Sequence, residues 1–322
     1  MTEERELLRE TVAALVAKHA TPAAVRAAME SDKGYDESLW RLLCEQVGAA
    51  ALVIPEELGG AGGELADAAT VLQELGRALV PSPLLGTTLA ELALLTAHEP
   101  DAETLEGLAA GSSIGALVLD PDYVVNGGIA DVVVAAFGDP AGQGGQLSRW
   151  TRFSAQPVTT MDPTRRLARV RPEETVDLGD DPGIADTAAI LLAAEQIGAA
   201  ERCLELTVEY AKSRVQFGRP IGSFQALKHR MADLYVAVAA ARAVVGDACA
   251  DPTPANAATA RLAATETLNI VAAEGIQLHG GIAITWEHDM HLYFKRAHGS
   301  AQLLDAPTEL LRRLEAEVLP TP

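Results

Sequence analysis

The sequence predicts a mostly helical α+β chain: an N-terminal helical domain over 1–112, a small β domain over 113–180, and a C-terminal four-helix bundle over 181–322. Three observations predict it. Apolar residues recur at helical spacing through most of the first hundred residues. Between 113 and 180, β-branched residues gather in short runs broken by Pro, Asp and Gly. From 184 onward, long helical stretches are separated by proline-bearing connections.

The first helix is expected over 3–29, where Leu7, Leu8, Val12, Leu15 and Val16 form one stripe opposite Glu and Arg. A second covers 36–47, with Asp36 as N-cap and Trp40, Leu43 and Val47 facing inward. Gly59, Gly60, Gly62 and Gly63 then break the chain, because so dense a glycine run cannot stay helical. Helices resume over 64–79, 87–97 and 101–110. Strands follow over 114–119, 123–126, 132–137, 149–158 and 167–177, with a loop at 138–145. Asp162-Pro163-Thr164-Arg165-Arg166 reads as a turn with surface arginines. The bundle helices are 184–213, 223–249, 254–278 and 305–318. Pro220-Ile221-Gly222 and Asp251-Pro252-Thr253-Pro254 divide them, since proline stops one helix and suits the first turn of the next.

Lys and Arg number 25 against 45 Asp and Glu, a net charge of -20. Such a surface repels nucleic acid and anionic lipid, so neither is an expected partner. Any thioester or dinucleotide site therefore needs local basic residues. Cys44, Cys203 and Cys249 fit no metal or disulfide framework and read as buried thiols in a reducing compartment. No signal-like apolar segment opens the chain, and no apolar run reaches about eighteen residues. A cytoplasmic protein away from membranes is expected.

A basic cluster lies between two of the bundle helices. Tyr210-Ala211-Lys212-Ser213-Arg214-Val215-Gln216-Phe217-Gly218-Arg219-Pro220-Ile221-Gly222-Ser223-Phe224-Gln225 joins the end of one helix to the start of the next. Positive charge beside the open N–H groups of a helix start suits a diphosphate. Phe217 offers a face to a purine, and Gln225 a bond to phosphate or ribose. A plain inter-helix turn with surface arginines would use the same residues.

This stretch, with its R-x-Q-F-G-x-P-I-G-x-F-Q pattern, resembles the acyl-CoA dehydrogenase signature. Ile276-Gln277-Leu278-His279-Gly280-Gly281-Ile282 resembles that family's second flavin-contacting segment, and Ile54–Gly63 resembles its N-terminal P-E-E-x-G-G-x-G turn. The resemblance implies the acyl-CoA dehydrogenase fold and an FAD that lies across a subunit boundary, its ADP half on one subunit's helical domain. The matching ADP-side positions are Arg214, Gln216, Phe217, Ile221, Gln225, Gln277, Gly280 and Gly281.

Two departures from the family pattern follow. The β region lacks the G-S-D and W-I-S segments that hold the isoalloxazine ring: Leu117-Val118-Leu119-Asp120-Pro121 runs straight into Tyr123, and Gly128-Ile129-Ala130-Asp131 takes the place of the second segment. The base that removes the α proton is also missing. Leu304 aligns with the usual glutamate and Ala188 with the alternative one. Asp305 is a weak candidate one residue late and reads better as an N-cap before Thr308 and Glu309. His288 and His291, with Glu287 and Asp289, suggest packing rather than metal, and no metal is expected.

The resemblance extends to the smaller subunits of heteromeric α2β2 acyl-CoA dehydrogenases of actinobacterial sterol catabolism. It implies a second dehydrogenase-type subunit as partner, an acyl-CoA substrate with a bulky acyl group, and a flavoprotein electron acceptor. Three other readings use the same residues: a self-sufficient homotetramer with Asp305 as base, a flavin monooxygenase, and a non-catalytic scaffold.

Overall fold

The computed structural model describes residues 2–138, 145–304 and 307–318. The N-terminal helices are α1 (Glu3–His19), α2 (Pro22–Glu30), α3 (Glu37–Leu42), α4 (Leu65–Arg77), α5 (Leu84–Leu94) and α6 (Ala102–Ala109). The helix expected over 3–29 is thus two. Pro22 has no N–H to continue α1, and the Thr21 side chain caps a new helix by accepting from the Ala24 N–H at 3.3 Å. Asp36 caps α3 as expected, accepting from the Ser38 and Leu39 N–H groups. Leu43–Val47 widens to a π turn that stops at Gly48.

The sheet contains β1 (Gly115–Val118), β2 (Val124–Val125), β3 (Val132–Gly138), β4 (Gly145–Val158) and β5 (Leu167–Asp181) in the order β1-β3-β4-β5-β2. β1 and β3 are parallel, and the other pairings are antiparallel. Alternation along the strands divides their side chains between two cores. Leu117, Val134, Ala136 and Leu147 join the main core, while Ala116, Val118, Val133, Ala135 and Trp150 form a second one.

The C-terminal helices are α7 (Ile184–Ser213), α8 (Gln225–Ala250), α9 (Pro254–His279), α10 (Met290–Ala301) and α11 (Pro307–Val318). α7 packs between α4 and α9. The α4–α7 crossing is close because each helix offers a glycine to the other's backbone. A Cβ on Gly76 would lie 2.1 Å from the Glu195 carbonyl oxygen, and one on Gly198 would lie 1.9 Å from that of Gln73. α10 was not expected. Its inward face includes the polar residues His291, Arg296 and Ser300, which hide the apolar period.

Arg165 corrects the sequence reading. Expected on the surface, its side chain is 8% exposed and pairs with Glu195 of α7, while Nη1 donates to the Ser300 hydroxyl of α10 at 2.9 Å. Arg166 lies at the surface but donates to the Met29 and Ser31 carbonyls at 3.0 and 2.9 Å. The turn therefore ties the sheet to helices at both ends of the chain.

Candidate functional site

The chain leaves α7 at Arg214 and forms a two-residue hairpin before α8. β6 (Val215–Gln216) pairs with β7 (Arg219–Pro220), and Phe217 and Gly218 turn with φ of 53° and 76°. Two consecutive positive φ values suit the twist of a tight hairpin. Glycine accepts this readily, whereas an aromatic residue there is uncommon. The Phe217 ring is 92% exposed. The ring stands outward and edge-on to the Phe224 ring, with centroids 6.2 Å apart.

The Ile221 N–H bonds the Arg214 carbonyl at 2.8 Å and brings the chain back to α7. α8 then starts at Gln225 after Phe224, whose side chain provides no cap. Its first donors and the positive end of the helix dipole are thus open to an anion. From Lys212 to Arg230 the sequence has no acidic residue, in a chain with 45 of them. Arg230 pairs with Glu274 and joins the start of α8 to the end of α9. That places Gln277, Gly280 and Gly281 at the same end of the bundle as the hairpin.

Arg214, Gln216, Phe217, Gln225, Gln277, Gly280 and Gly281 are exposed, and Ile221 is half-buried. Arg219 is exposed as well, its guanidinium 4.0 Å from the Phe224 ring centroid. A Cβ on Gly280, Gly281 or Gly218 would meet nothing within 4 Å, so open space borders the turn. Together these positions present a cation, an exposed aromatic face, amides and accessible backbone N–H groups. That donor set fits an adenosine diphosphate group.

The two positions that the sequence resemblance aligns with the family's base carry no proton-accepting side chain. Ala188 has no solvent exposure, and Leu304 is half-buried with φ of 71°. Asp305 lies outside the described residues. Arg261, 1% exposed, holds the end of α10 by donating to the carbonyls of Ser300 and Leu303, and it also bonds the Gln196 amide oxygen at 2.7 Å.

Sequence reasoning missed a second feature. Arg296 Nε donates to Asp162 at 2.8 Å, and Arg296 and Arg165 share the Glu195 carboxylate. Burial opposes the Arg296 charge, but Asp162 and Glu195 more than offset it and raise its pKa. Arg296, Arg165 and Glu195 line a cavity of about 20 Å³ with Leu72, Leu85 and Asn126, where the N-terminal helices, sheet and bundle meet. That is room for about one water and not for a ring system. The available signal was charge inside apolar helices: Glu195, Gln196 and Arg261 each interrupt an Ala- and Leu-rich run.

His288 accepts from the Met290 N–H through Nδ1 at 3.1 Å, and His291 packs edge-on to Trp286 with centroids 4.6 Å apart. Among the described residues no group of three or more His, Cys, Asp or Glu side chains is arranged to hold a metal ion. Among them, too, no helix is long and apolar enough to cross a membrane. Cys44 and Cys203 are buried and Cys249 partly so; burial pushes their thiols up to about 12, 12 and 11.

Residues 2–112 match the acyl-CoA dehydrogenase N-terminal domain, and residues 183–319 match the C-terminal domain of the same family. The chain is 82% identical over 320 residues to acyl-CoA dehydrogenase IpdE2 of Mycobacterium tuberculosis, covering 99% of each. The chain belongs to the acyl-CoA dehydrogenase family. Membership supports an oxidoreductase. Among solved structures, the ChsE4-ChsE5 complex from Mycobacterium tuberculosis superposes with a TM-score of 0.88 at 26% identity, covering 100% of this chain and 99% of that one. The Tcur3481-Tcur3483 steroid ACAD superposes with a TM-score of 0.87 at 28% identity, covering 98% of each. The order of helices, small sheet and helices is that of the acyl-CoA dehydrogenase fold.

Proposed function

We propose that this chain is the ADP-binding subunit of a heteromeric, FAD-dependent acyl-CoA dehydrogenase that oxidises the α,β bond of a bulky acyl-CoA thioester. The observation that carries the reading is an imbalance: a basic, aromatic, acid-free nucleotide surface accompanies apolar residues at both base positions. Arg214 faces the diphosphate, Phe217 the adenine, and Gln225 and Gln277 the ribose and phosphate oxygens. Gly280 and Gly281 allow the backbone to approach. Bound FAD supplies the hydride acceptor. Ala188 and Leu304 cannot remove an α proton, so the partner subunit provides that carboxylate.

The outer face of α8 supports a partner. Ala232, Tyr235, Val236, Ala239, Ala240 and Ala243 are exposed on a helix that buries only a narrow stripe of its own. A solvent-facing helix would carry charge there. The steroid and two-protein descriptions of the structural relatives support a heteromer and a polycyclic acyl group.

The test is a visible spectrum of the chain purified alone and after co-expression with a second, complete family member. The lone chain should lack the flavin band and the pair should show it. Stoichiometric, tightly held FAD in the lone chain would overturn the reading.

A further inference from the structure

Gly280 has φ 66° and ψ -146°, a backbone region that glycine alone enters readily. Open space borders it, so its own packing does not define its shape. Three rings beside the turn do. Tyr210, near the end of α7, stacks on His279 with centroids 4.3 Å apart and planes 24° from parallel. Its hydroxyl donates to the His279 carbonyl, which belongs to the peptide entering Gly280, at 3.3 Å. His279 Nδ1 lies 2.8 Å from the Gly275 carbonyl, which makes Nδ1 the protonated nitrogen and Nε2 a bare acceptor. That Nε2 is buried and has no partner. His288 is the third ring, 4.6 Å from that of His279 and edge-on to Tyr210 at 6.4 Å, and its Nδ1 caps α10 at Met290.

We propose that Tyr210, His279 and His288 are positioning residues that clasp the Gly280–Gly281 turn in its nucleotide-binding shape, and that acid loosens this clasp. The proposal rests on the reading that the turn meets the ADP half of FAD. A proton on His279 would have to sit on Nε2, where no acceptor waits. A proton on His288 Nδ1 would break the cap of α10. Protons on both would place like charges 4.6 Å apart.

The surrounding charges favour the neutral pair. Burial holds His279 below the ordinary histidine value and His288 adds to this, against the Gly275 carbonyl. Burial also lowers His288; Asp289 opposes it and Arg26 of α2 reinforces it. Arg26 engages Asp289 directly, with Nε at 3.1 Å, which weakens that opposition. From α10, His291 and Lys295 face Trp286 on the outer side of the same loop. Because both folded-state values are depressed, the clasp is complete above the ordinary histidine pKa and is lost as pH falls below it.

The test uses the two-subunit complex and measures FAD affinity by fluorescence between about pH 7.5 and about pH 5.5. Tyr210→Phe keeps the stack and removes the hydroxyl bond, and should weaken FAD about three- to tenfold at the higher pH. The parent's affinity should fall steeply with acid. In His288→Asn, which retains a capping acceptor but takes no proton, the ratio of dissociation constants at the two pH values should fall towards one, with His279 alone keeping the remainder. Arg214→Ala tests the site itself. If it weakens FAD while Tyr210→Phe equals the parent and His288→Asn keeps the full acid dependence, the clasp is wrong and the site stands. If Arg214→Ala leaves the affinity unchanged, both fail.

Discussion

Glu91 lies on α5 with no solvent exposure, and neither carboxylate oxygen has a hydrogen-bond partner. Burial pushes its pKa well above the ordinary carboxylate value of 4.5. A raised folded-state pKa gives stability that is complete below the unfolded value and is lost as pH rises towards the folded one. Glu91→Gln lacks that titration and should be more stable than the parent at neutral pH and above. The difference should shrink by about 1.4 kcal/mol per pH unit as pH falls towards the unfolded value. Urea melts across that range check it, and a constant difference would mean that the carboxyl is ionised in the fold. Asp305 gives the second prediction at this scale. With the base on the partner, Asp305→Asn should leave turnover of the complex within a few-fold, whereas loss of a general base costs about 10²–10⁴-fold. Turnover measured beside a thermal melt separates the two outcomes.

Among the elements, α7 and α10 depend on the turn between β4 and β5. Glu195 neutralises Arg165 and Arg296, all three side chains being at most 10% exposed. Glu195→Ala would leave two buried guanidinium groups short of a counter-charge and should cost about 3–5 kcal/mol. Glu173→Ala breaks a more exposed pair with Arg152 and should cost about 1 kcal/mol or less. Chemical denaturation of both variants checks the contrast, and equal losses would show that the buried network adds no more than a surface pair. Much at this scale was legible. α7 matches its expected bounds, Asp36 caps α3, and Pro254 opens α9, because periodicity, caps and proline act within one turn of chain. The break at Pro22 and the helix α10 were not read. In α10 the buried Arg296 and Ser300 find partners only across the fold: Arg296 on Asp162 and Glu195, Ser300 on Arg165 and Arg261.

At the scale of the whole molecule, the apolar outer face of α8 and the exposed Phe217 are the surfaces on which the proposed second subunit would dock. Tyr235 and Val236 are 68% and 66% exposed. Tyr235→Asp combined with Val236→Asp should abolish the two-subunit complex in light scattering, while the melt of the lone chain stays within about 0.5 kcal/mol of the parent. A complex that survives the double substitution would place the interface elsewhere. Net charge also matters here. Two copies at -20 each repel one another, so a partner of lower negative charge is favoured over self-association, most strongly at low salt.

The sequence by itself determined the helical ends, the small sheet between them, and a basic hairpin followed by a glycine turn, because these are written in local spacing and residue type. It also determined that Ala188 and Leu304 have no proton-accepting side-chain atom wherever they lie. Only the tertiary structure decided which charges are buried. It took Arg165 from an expected surface turn to the junction of three regions, and placed Arg261 behind the end of α10. It also set Tyr210 against His279, 69 residues apart in the chain. Burial and long-range pairing depend on segments that meet after folding, and local patterns carry no record of which segments those are.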